Sequence, residues 1–186
     1  MSLTLEPGLV ESARSGGEPL ERLIAAVWPE AYRIAFSVLR DAGLAEDAAQ
    51  DACATIARAL QNLKQPDVFR SWSYRIIVNH AITTSRRRPH TEPIDPTNDC
   101  GVVFDRSDAL DLYNALATLP VAQRGAILLH YYGGLNSKEI AAATGLPSST
   151  IRFHLMLARK TLRRALADAG LRAAAGLSEE ILSDVR

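Results

Sequence analysis

The 186-residue sequence has little cysteine and few aromatic residues. Its two cysteines, Cys53 and Cys100, form no CxxC pair and have no metal-ligand spacing, so neither a zinc site nor a disulfide framework is expected. Cys53 lies in a helical apolar pattern and is predicted to be a buried thiol. Aromatic residues make up 6% of the chain, whereas Ala, Leu and Arg dominate it, and this composition favours an all-helical fold.

The chain also lacks a secretory leader, a long apolar run and a catalytic motif. No stretch has the roughly 20 apolar residues that cross a bilayer, and no basic start precedes an apolar core. We therefore expect a cytoplasmic protein. The sequence has no phosphate-binding glycine loop and no nucleophile elbow, and its four histidines lack partners at metal-ligand spacing. We expect neither an enzyme nor a bound metal or other cofactor.

Excess charge of either sign is missing too, because the formal net charge is +0. A neutral chain argues against tight binding of DNA through bulk electrostatics. The charges are nevertheless segregated. Residues 85–88 and 152–164 are basic, whereas residues 46–51 and 92–111 carry more acidic than basic residues. This segregation indicates several partners that differ in the sign of their charge.

Residues 136–166 have the pattern of a short helix, a tight turn and a longer basic helix. Asn136 and Glu139 can form a capping box at the start of the first helix, and Gly145 can end it. Ser148 or the serine after it then caps the second helix. This is the layout of a helix-turn-helix, whose second helix enters the major groove of DNA.

The second helix of this motif has two distinct faces at about 100° per residue. Four apolar residues form a stripe that should pack inward: Ile151, Leu155, Ala158 and Leu162. The opposite face mixes polar, apolar and cationic residues: Ser149, Arg152, Phe153, Met156, Lys160 and Arg163. Phosphates, base edges and thymine methyls would accept this mixture, which favours DNA binding. A solvated basic helix in a small bundle is the alternative.

Upstream, residues 1–17 are expected to form a flexible arm, and helical periodicity begins near Pro19. Pro29 should bend or restart that helix, and Asp41-Ala42-Gly43 should end it. Residues 45–60 then predict a helix with an acidic first turn. Acidic residues at such a position also have an explanation in the helix dipole alone.

Residues 69–87 predict a further helix with two sides. Its core side is Tyr74, Ile77, Val78 and Ala81, and its other side is Trp72, Arg75, Ile76, Asn79, Thr83 and Arg86. The second set suits unstacked bases and phosphates, although Trp72 and Ile76 could equally belong to the core. Residues 89–107 are rich in proline and predict a linker. The prediction is thus two small helical domains, at 18–88 and 108–168, followed by a tail at 169–186.

Three stretches in this order resemble the extracytoplasmic-function group of bacterial sigma factors. AEDAAQDACATIARAL is similar to the polymerase-docking part of region 2, and FRSWSYRIIVNHAITTSRRR is similar to the part that contacts the minus-ten element. Residues 112–166, with their Leu-Pro-x-x-Gln-Arg opening, are similar to region 4. The resemblance implies an alternative sigma factor that gives core RNA polymerase its promoter specificity.

The resemblance also implies partners and roles for individual residues. Asp47, Gln50 and Asp51 would dock on the clamp helices of the largest polymerase subunit, and region 4 would meet the flap of the second subunit. Minus-ten DNA would contact Trp72, Arg75, Asn79, Thr83, Arg86, Arg87 and Arg88. Minus-thirty-five DNA would contact Ser148, Ser149, Thr150, Arg152, Phe153, Met156, Lys160 and Arg163. Acidic linker residues such as Asp95 and Asp99 would imitate RNA, and an anti-sigma factor would cover these surfaces.

This sequence departs from the family pattern at several positions. Cys53 stands where the family often has Phe, and Ala52 where a larger residue is common, which would alter docking on the clamp. Phe153 replaces a usual Ser and Leu157 a frequent Arg, which would change the minus-thirty-five preference. Two alternatives therefore stay open: a sigma-like decoy that sequesters an anti-sigma factor, and a stand-alone helix-turn-helix regulator.

Overall fold

The computed structural model describes residues 5–87 and 114–168. These residues form helices and connecting turns with no strand among them, which confirms the predicted all-α class. The helices are α1 (Leu9–Ala13), α2 (Gly17–Leu39), α3 (Ala42–Ala59), α4 (Phe69–Arg87), α5 (Val121–Tyr131), α6 (Ser137–Thr144) and α7 (Ser148–Asp168). Two 3-10 turns, Leu60–Asn62 and Pro66–Val68, join α3 to α4, and residues 114–117 are also helical. The predicted linker, the predicted tail, Arg88 and Cys100 lie outside the described residues.

Helices α1 to α4 form the N-terminal unit, in which α2, α3 and α4 pack against one another and α1 packs on α2. Leu23 and Val27 of α2 are fully enclosed, whereas Leu20 and Ile24 on the same side of the helix are half-buried. The side of α3 that faces its neighbours is built largely from buried alanines: Ala45, Ala48, Ala49 and Ala52. Because alanine side chains are small, the backbones of α3 and its neighbours can approach closely while still burying apolar surface.

Three details of the N-terminal unit differ from the sequence prediction. The expected flexible arm contains α1, because Leu9, Val10 and Ala13 bury their side chains against α2. Helix α2 continues through Pro29, which is exposed, so water can satisfy the backbone carbonyl that proline leaves without a partner. The break after α2 is also shorter than predicted.

That break is made by two residues with opposite roles. Arg40 takes a left-handed conformation at φ 61° and ends α2. The side chain of Asp41 then caps α3 by accepting a hydrogen bond from the Leu44 N–H at 2.8 Å. Ala42 and Gly43, which were predicted to belong to the break, therefore form the first turn of α3.

Helices α5, α6 and α7, with residues 114–120 before them, form the C-terminal unit. The capping box is confirmed: Asn136 Oδ1 accepts from the Lys138 and Glu139 N–H groups, and Glu139 Oε2 accepts from the Asn136 N–H at 2.8 Å. Gly145 ends α6 at φ +72°, a conformation that glycine adopts without a steric penalty. Helix α7 already includes Ser148, so Pro147 rather than a serine precedes it.

The two units pack directly against each other. Helix α5 lies against α4 and the C-terminal end of α2, and α6 touches α4. Their buried side chains form one continuous apolar core that runs from Leu9 to Leu166. The sequence predicted two helical units but contained no signal for this contact, which brings the helix-turn-helix beside the face of α4 that was assigned to DNA.

Candidate nucleic-acid interface

Helix α7 presents the face that its periodicity predicted. Ile151, Leu155, Ala158 and Leu162 are all buried, which confirms the inward stripe. Phe153 and Met156 are each 54% exposed, although they are large apolar side chains. Arg152 adjoins Phe153 and is also exposed, and the exposed Lys160 and Arg163 follow Met156 by about one and two turns. An apolar pair flanked by cations on an open helix face matches the mixture of methyl groups, base edges and phosphates in a major groove.

The start of α7 adds three hydroxyl groups to this face. Ser149 is exposed, whereas Ser148 and Thr150 are half-buried. All three lie in the first turn, where free backbone N–H groups and the helix dipole favour a DNA phosphate. The structure therefore places the eight residues assigned to the minus-thirty-five element along one accessible helix, with the hydroxyls at its N-terminal end and Lys160 and Arg163 further along.

One contact that the sequence did not predict joins α7 to α5 within the C-terminal unit. Arg159 Nε donates a hydrogen bond to the Tyr131 hydroxyl at 3.0 Å, and its guanidinium lies 5.7 Å from the centre of that ring. The charge is therefore directed toward α5 and away from the groove-facing side. Tyr131 is half-buried. A basic residue within a basic helix gives no sequence signal of such a structural role.

Helix α4 carries the second predicted surface. Arg75, Thr83, Arg86 and Arg87 are exposed. Trp72 and Ile76, for which two interpretations were open, are half-buried and pack against the core, and the Trp72 ring lies 5.9 Å from that of Phe69. Both therefore combine a packing role with partial access to a ligand. Asn79 is half-buried because its side chain donates a hydrogen bond to the Ala143 carbonyl of α6 at 3.0 Å.

Helix α3 presents the third predicted surface. Asp47, Gln50 and Asp51 are exposed on one side, where Gln50 Nε2 donates a long hydrogen bond to Glu46 Oε1 at 3.4 Å. Cys53 and Ala52 are buried. The buried thiol predicted for Cys53 is confirmed, and the expected effect of the two departures on clamp docking stays a prediction. Burial also raises the pKa of the Cys53 thiol to about 11, so it stays protonated at neutral pH.

A buried polar cluster at the junction of the units was missed by the sequence analysis. Glu30 is only 5% exposed, is paired with Arg33, and accepts a hydrogen bond from the Tyr74 hydroxyl at 3.0 Å. Tyr132, the residue directly after α5, packs edge-on against Tyr74, with the ring centres 6.3 Å apart. Burial, followed by the Glu30 charge, raises the pKa of both tyrosines, so both act as neutral groups. Glu30 looks like a surface residue of an amphipathic helix in the sequence, and only the packing reveals its role.

Within residues 5–87 and 114–168, no group of three or more His, Cys, Asp or Glu side chains is arranged to hold a metal ion. Among the helices of the same ranges, none has the length and apolar character needed to cross a membrane. The acidic face of α3, the mixed face of α4 and the mixed face of α7 carry the candidate site residues.

Comparison with known proteins agrees with this arrangement. Sigma-70 region 2 matches residues 23–90, and Sigma-70 region 4 matches residues 109–162. The RNA polymerase sigma factor SigV of Bacillus subtilis is 29% identical over 138 residues, which cover 71% of this chain and 81% of that protein. The ECF RNA polymerase sigma factor SigM of Mycobacterium tuberculosis is 31% identical over 139 residues. These residues cover 73% of this chain and 70% of that protein.

The fold has a counterpart among solved structures. The sigma factor RpoE of Bartonella quintana, solved in complex with the anti-sigma factor NepR, superposes with a TM-score of 0.57. The match covers 81% of this chain and 98% of that one. At 22% sequence identity it shows similarity of the fold alone.

Two helical units with an exposed recognition helix define a helix-turn-helix DNA-binding protein. The chain belongs to the extracytoplasmic-function group of RNA polymerase sigma factors. It is an alternative sigma factor, which binds core RNA polymerase and directs promoter-specific transcription initiation. Of the interpretations that the sequence left open, the sigma factor is therefore the one that these findings support, over the decoy and the stand-alone regulator.

Proposed function

We propose that the three surfaces divide the work of a sigma factor among themselves. The acidic face of α3, with Asp47, Gln50 and Asp51, docks on the clamp helices of the largest polymerase subunit. Its support is the exposure of all three side chains on one side of α3, apart from the faces of α4 and α7. Segregated charge gives each surface a different partner, since an acidic face repels DNA phosphates and attracts a basic protein surface.

The mixed face of α4 binds the opened minus-ten element. Trp72 offers an aromatic surface and Asn79 an amide that can read a base edge, with Thr83 beside them. Arg75, Arg86, Arg87 and Arg88 hold phosphates, which carry most of the affinity but no sequence information. This role requires that Asn79 release the Ala143 carbonyl, with which it is hydrogen-bonded in the structure.

The mixed face of α7 reads the minus-thirty-five element. The residues that contact bases are Ser149, Arg152, Phe153 and Met156. The first turn of α7, with Ser148 and Thr150, faces a phosphate. The DNA backbone is held in position by Lys160 and Arg163. The observation that carries the proposal is the 54% exposure of both Phe153 and Met156 between cations, because water alone does not favour such a surface. Phe153 suits apolar contact with a thymine methyl.

Further partners follow from the same surfaces. The C-terminal unit is proposed to meet the flap of the second polymerase subunit, and an anti-sigma factor to cover the α3, α4 or α7 faces. Support for the latter is the solved complex of the similar sigma factor RpoE with its anti-sigma factor. The site of action is then the cytoplasm, where polymerase and promoter DNA meet.

One experiment tests the proposal as a whole. The purified protein is mixed with bacterial core polymerase and a pool of promoter fragments, and transcription start sites are mapped. We expect defined starts that share two spaced sequence elements. Core binding without specific starts would contradict the assignment of the α4 and α7 faces. No core binding would contradict the assignment of the α3 face.

The proposed orientation of α7 directs Arg152 to a base and Lys160 to the DNA backbone. Both residues are exposed cations, so they form a matched pair for a separate prediction. Arg152→Ala should relax sequence preference by about 1–3 kcal/mol at a single base pair, because a bidentate contact to a base edge is lost. Lys160→Ala should weaken binding to all sequences alike and lower the salt dependence. Selection of minus-thirty-five sequences with each variant holoenzyme distinguishes them. Identical profiles for both variants would refute the facing assignment.

A further inference from the structure

Arg159 lies on nearly the same side of α7 as the residues assigned to DNA. At about 100° per residue it falls within roughly 20° of Arg152, which is two turns earlier in the helix. The neighbouring cations Lys160 and Arg163 are exposed, whereas Arg159 is half-buried. Position along the helix alone would therefore assign Arg159 to a DNA phosphate, and its tertiary contacts distinguish it from the other cations of α7.

Arg159 contacts Tyr131, the last residue of α5, in two ways. Its Nε donates a hydrogen bond to the Tyr131 hydroxyl at 3.0 Å, and its guanidinium carbon lies 5.7 Å from the centre of the ring. An arginine can make both contacts because its planar group donates hydrogen bonds and also packs on aromatic rings. The two contacts join α7 to α5 at a point about 10 Å along the helix axis from Arg152.

Tyr131 is itself in contact with His130, which is bonded to the turn before α6. The rings of Tyr131 and His130 meet edge to face, with their centres 4.8 Å apart. His130 Nδ1 forms a hydrogen bond with the Leu135 carbonyl at 2.8 Å, and because a carbonyl only accepts, this nitrogen carries the proton. Leu135 directly precedes Asn136, whose side chain caps α6. The acceptor that Arg159 uses is therefore linked to the start of α6.

The buried side of α7 packs the helix on α5 and α6 but specifies its rotation less sharply than a hydrogen bond does. That side includes Ile151, Leu155, Ala158 and Leu162. Apolar burial is non-directional, and Ala158, next to Arg159, has only a methyl group with which to interlock. A hydrogen bond weakens steeply away from its preferred distance and angle. The contact between Arg159 and Tyr131 therefore supplies a directional constraint between α7 and α5.

Even a small rotation of α7 would change how its side chains meet bases. A side-chain tip about 6 Å from the helix axis moves by roughly 2 Å when the helix turns by about 20°. This movement exceeds the range of about 0.5 Å over which a donor–acceptor distance stays favourable. A flexible lysine on a phosphate tolerates such a shift, whereas a bidentate contact with a base edge does not. Rotation of α7 therefore affects sequence preference more than total affinity.

We infer that Arg159 is a positioning residue for promoter selection. Through the Tyr131 hydroxyl it sets the rotation of α7 on α5. That rotation decides the register in which Arg152, Phe153 and Met156 meet the bases. The inference rests on the proposed function, in which this face of α7 reads the minus-thirty-five element. A cation of a basic helix thereby controls sequence preference although its charge is directed at α5.

Replacement of Arg159 by glutamine and by methionine separates positioning from charge. Glutamine Nε2 is as many bonds from the backbone as arginine Nε, so Arg159→Gln keeps a donor for Tyr131 and removes the charge. Arg159→Met removes both. Each full-length variant is assembled with core polymerase, and binding sequences are selected from promoter fragments randomised over the minus-thirty-five element. Discrimination between the best sequence and its single-base variants should fall by about fivefold or more for Arg159→Met and stay within about twofold of the wild type for Arg159→Gln.

Tyr131→Phe tests the same contact from α5. It removes the hydroxyl acceptor and leaves the ring, so its loss of discrimination should match that of Arg159→Met. The double variant should lose no more than about twofold beyond either single variant, because both changes break one interaction. The melting temperature of each variant is measured in parallel, so that unfolding of the C-terminal unit is not mistaken for a change in sequence preference.

Arg164→Met is the matched control, because Arg164 is an exposed cation of α7 that is not among the residues assigned to DNA. It should leave the selected sequences unchanged.

Two results would overturn the inference. In the first, both Arg159 variants select the wild-type sequences and only lower the salt dependence of binding, since Arg159 would then be a phosphate contact. In the second, Arg159→Gln loses as much discrimination as Arg159→Met, or Tyr131→Phe loses none. A wild-type holoenzyme that selects no minus-thirty-five sequence would instead refute the proposed function.

Discussion

Replacement of Asp47 and Asp51 by lysine is expected to abolish transcription by preventing assembly with core polymerase. The two carboxylates lie one turn apart on the exposed side of α3. Like charges brought together across an interface cost several kcal/mol, and about 3 kcal/mol corresponds to more than a 100-fold loss of affinity. Titration of fluorescently labelled core polymerase with the double variant measures this loss directly.

The effect should be confined to docking. The free energy of unfolding of the double variant should lie within about 0.5 kcal/mol of the wild-type value, because both side chains are exposed. Asp67→Lys is the matched control, since Asp67 is also exposed but lies in the turn before α4. Wild-type affinity of the Asp47→Lys/Asp51→Lys protein for core polymerase would rule out the α3 face as the docking surface.

The second large effect is on stability and comes from the inward stripe of α7. Leu162 is 0% exposed and packs in the core of the C-terminal unit. Leu162→Ala removes three buried carbon atoms and leaves a cavity, which should cost about 2–5 kcal/mol. For a chain of this size the melting temperature should fall by about 4–20 °C, as measured by circular dichroism or calorimetry. Since a native protein has only about 5–15 kcal/mol of stability, a loss of this size should raise the unfolded fraction at 37 °C.

The opposite face of the same helix provides the contrast. Phe153→Ala removes a larger side chain than Leu162→Ala, yet Phe153 is 54% exposed and makes little contact with the core. Its melting temperature should therefore stay close to that of the wild type, while selection of minus-thirty-five sequences by its holoenzyme changes. A drop in melting temperature for Phe153→Ala equal to that for Leu162→Ala would show that the orientation of α7 is wrong.

Local patterns in the sequence were sufficient for the features that depend on near neighbours in the chain. The inward stripe of α7 follows from helical periodicity, and the capping box of Asn136 and Glu139 follows from two residues three positions apart. Helix α4, Phe69–Arg87, has the bounds that were predicted. The exposed faces of α3, α4 and α7 were therefore found from sequence, and their roles came from resemblance to sigma factors.

Short apolar segments and single proline residues gave less information about where helices begin and end. Helix α1 has only five residues, too few for a periodic pattern, and it is held by packing of Leu9, Val10 and Ala13 on α2. Pro29 suggested a break, but an exposed proline can be accommodated where tertiary packing holds both halves of the helix together. In both cases contacts distant in sequence outweighed the local signal.

The sequence by itself determined the longer helices, the capping box of α6 and the inward stripe of α7, because each depends on spacing along one segment. Only the tertiary structure decided that the two units meet, that Arg124 caps α2, and that Asn79 caps α6. These contacts join residues 64 and 86 positions apart, and no period in the chain relates such positions. The same geometry gives Glu30 a buried partner and places Gly125 against the side chain of Ile82. Such contacts arise because folding packs segments closely together that are distant in the chain. The residues that make them have neighbours in the sequence that give no sign of the contact.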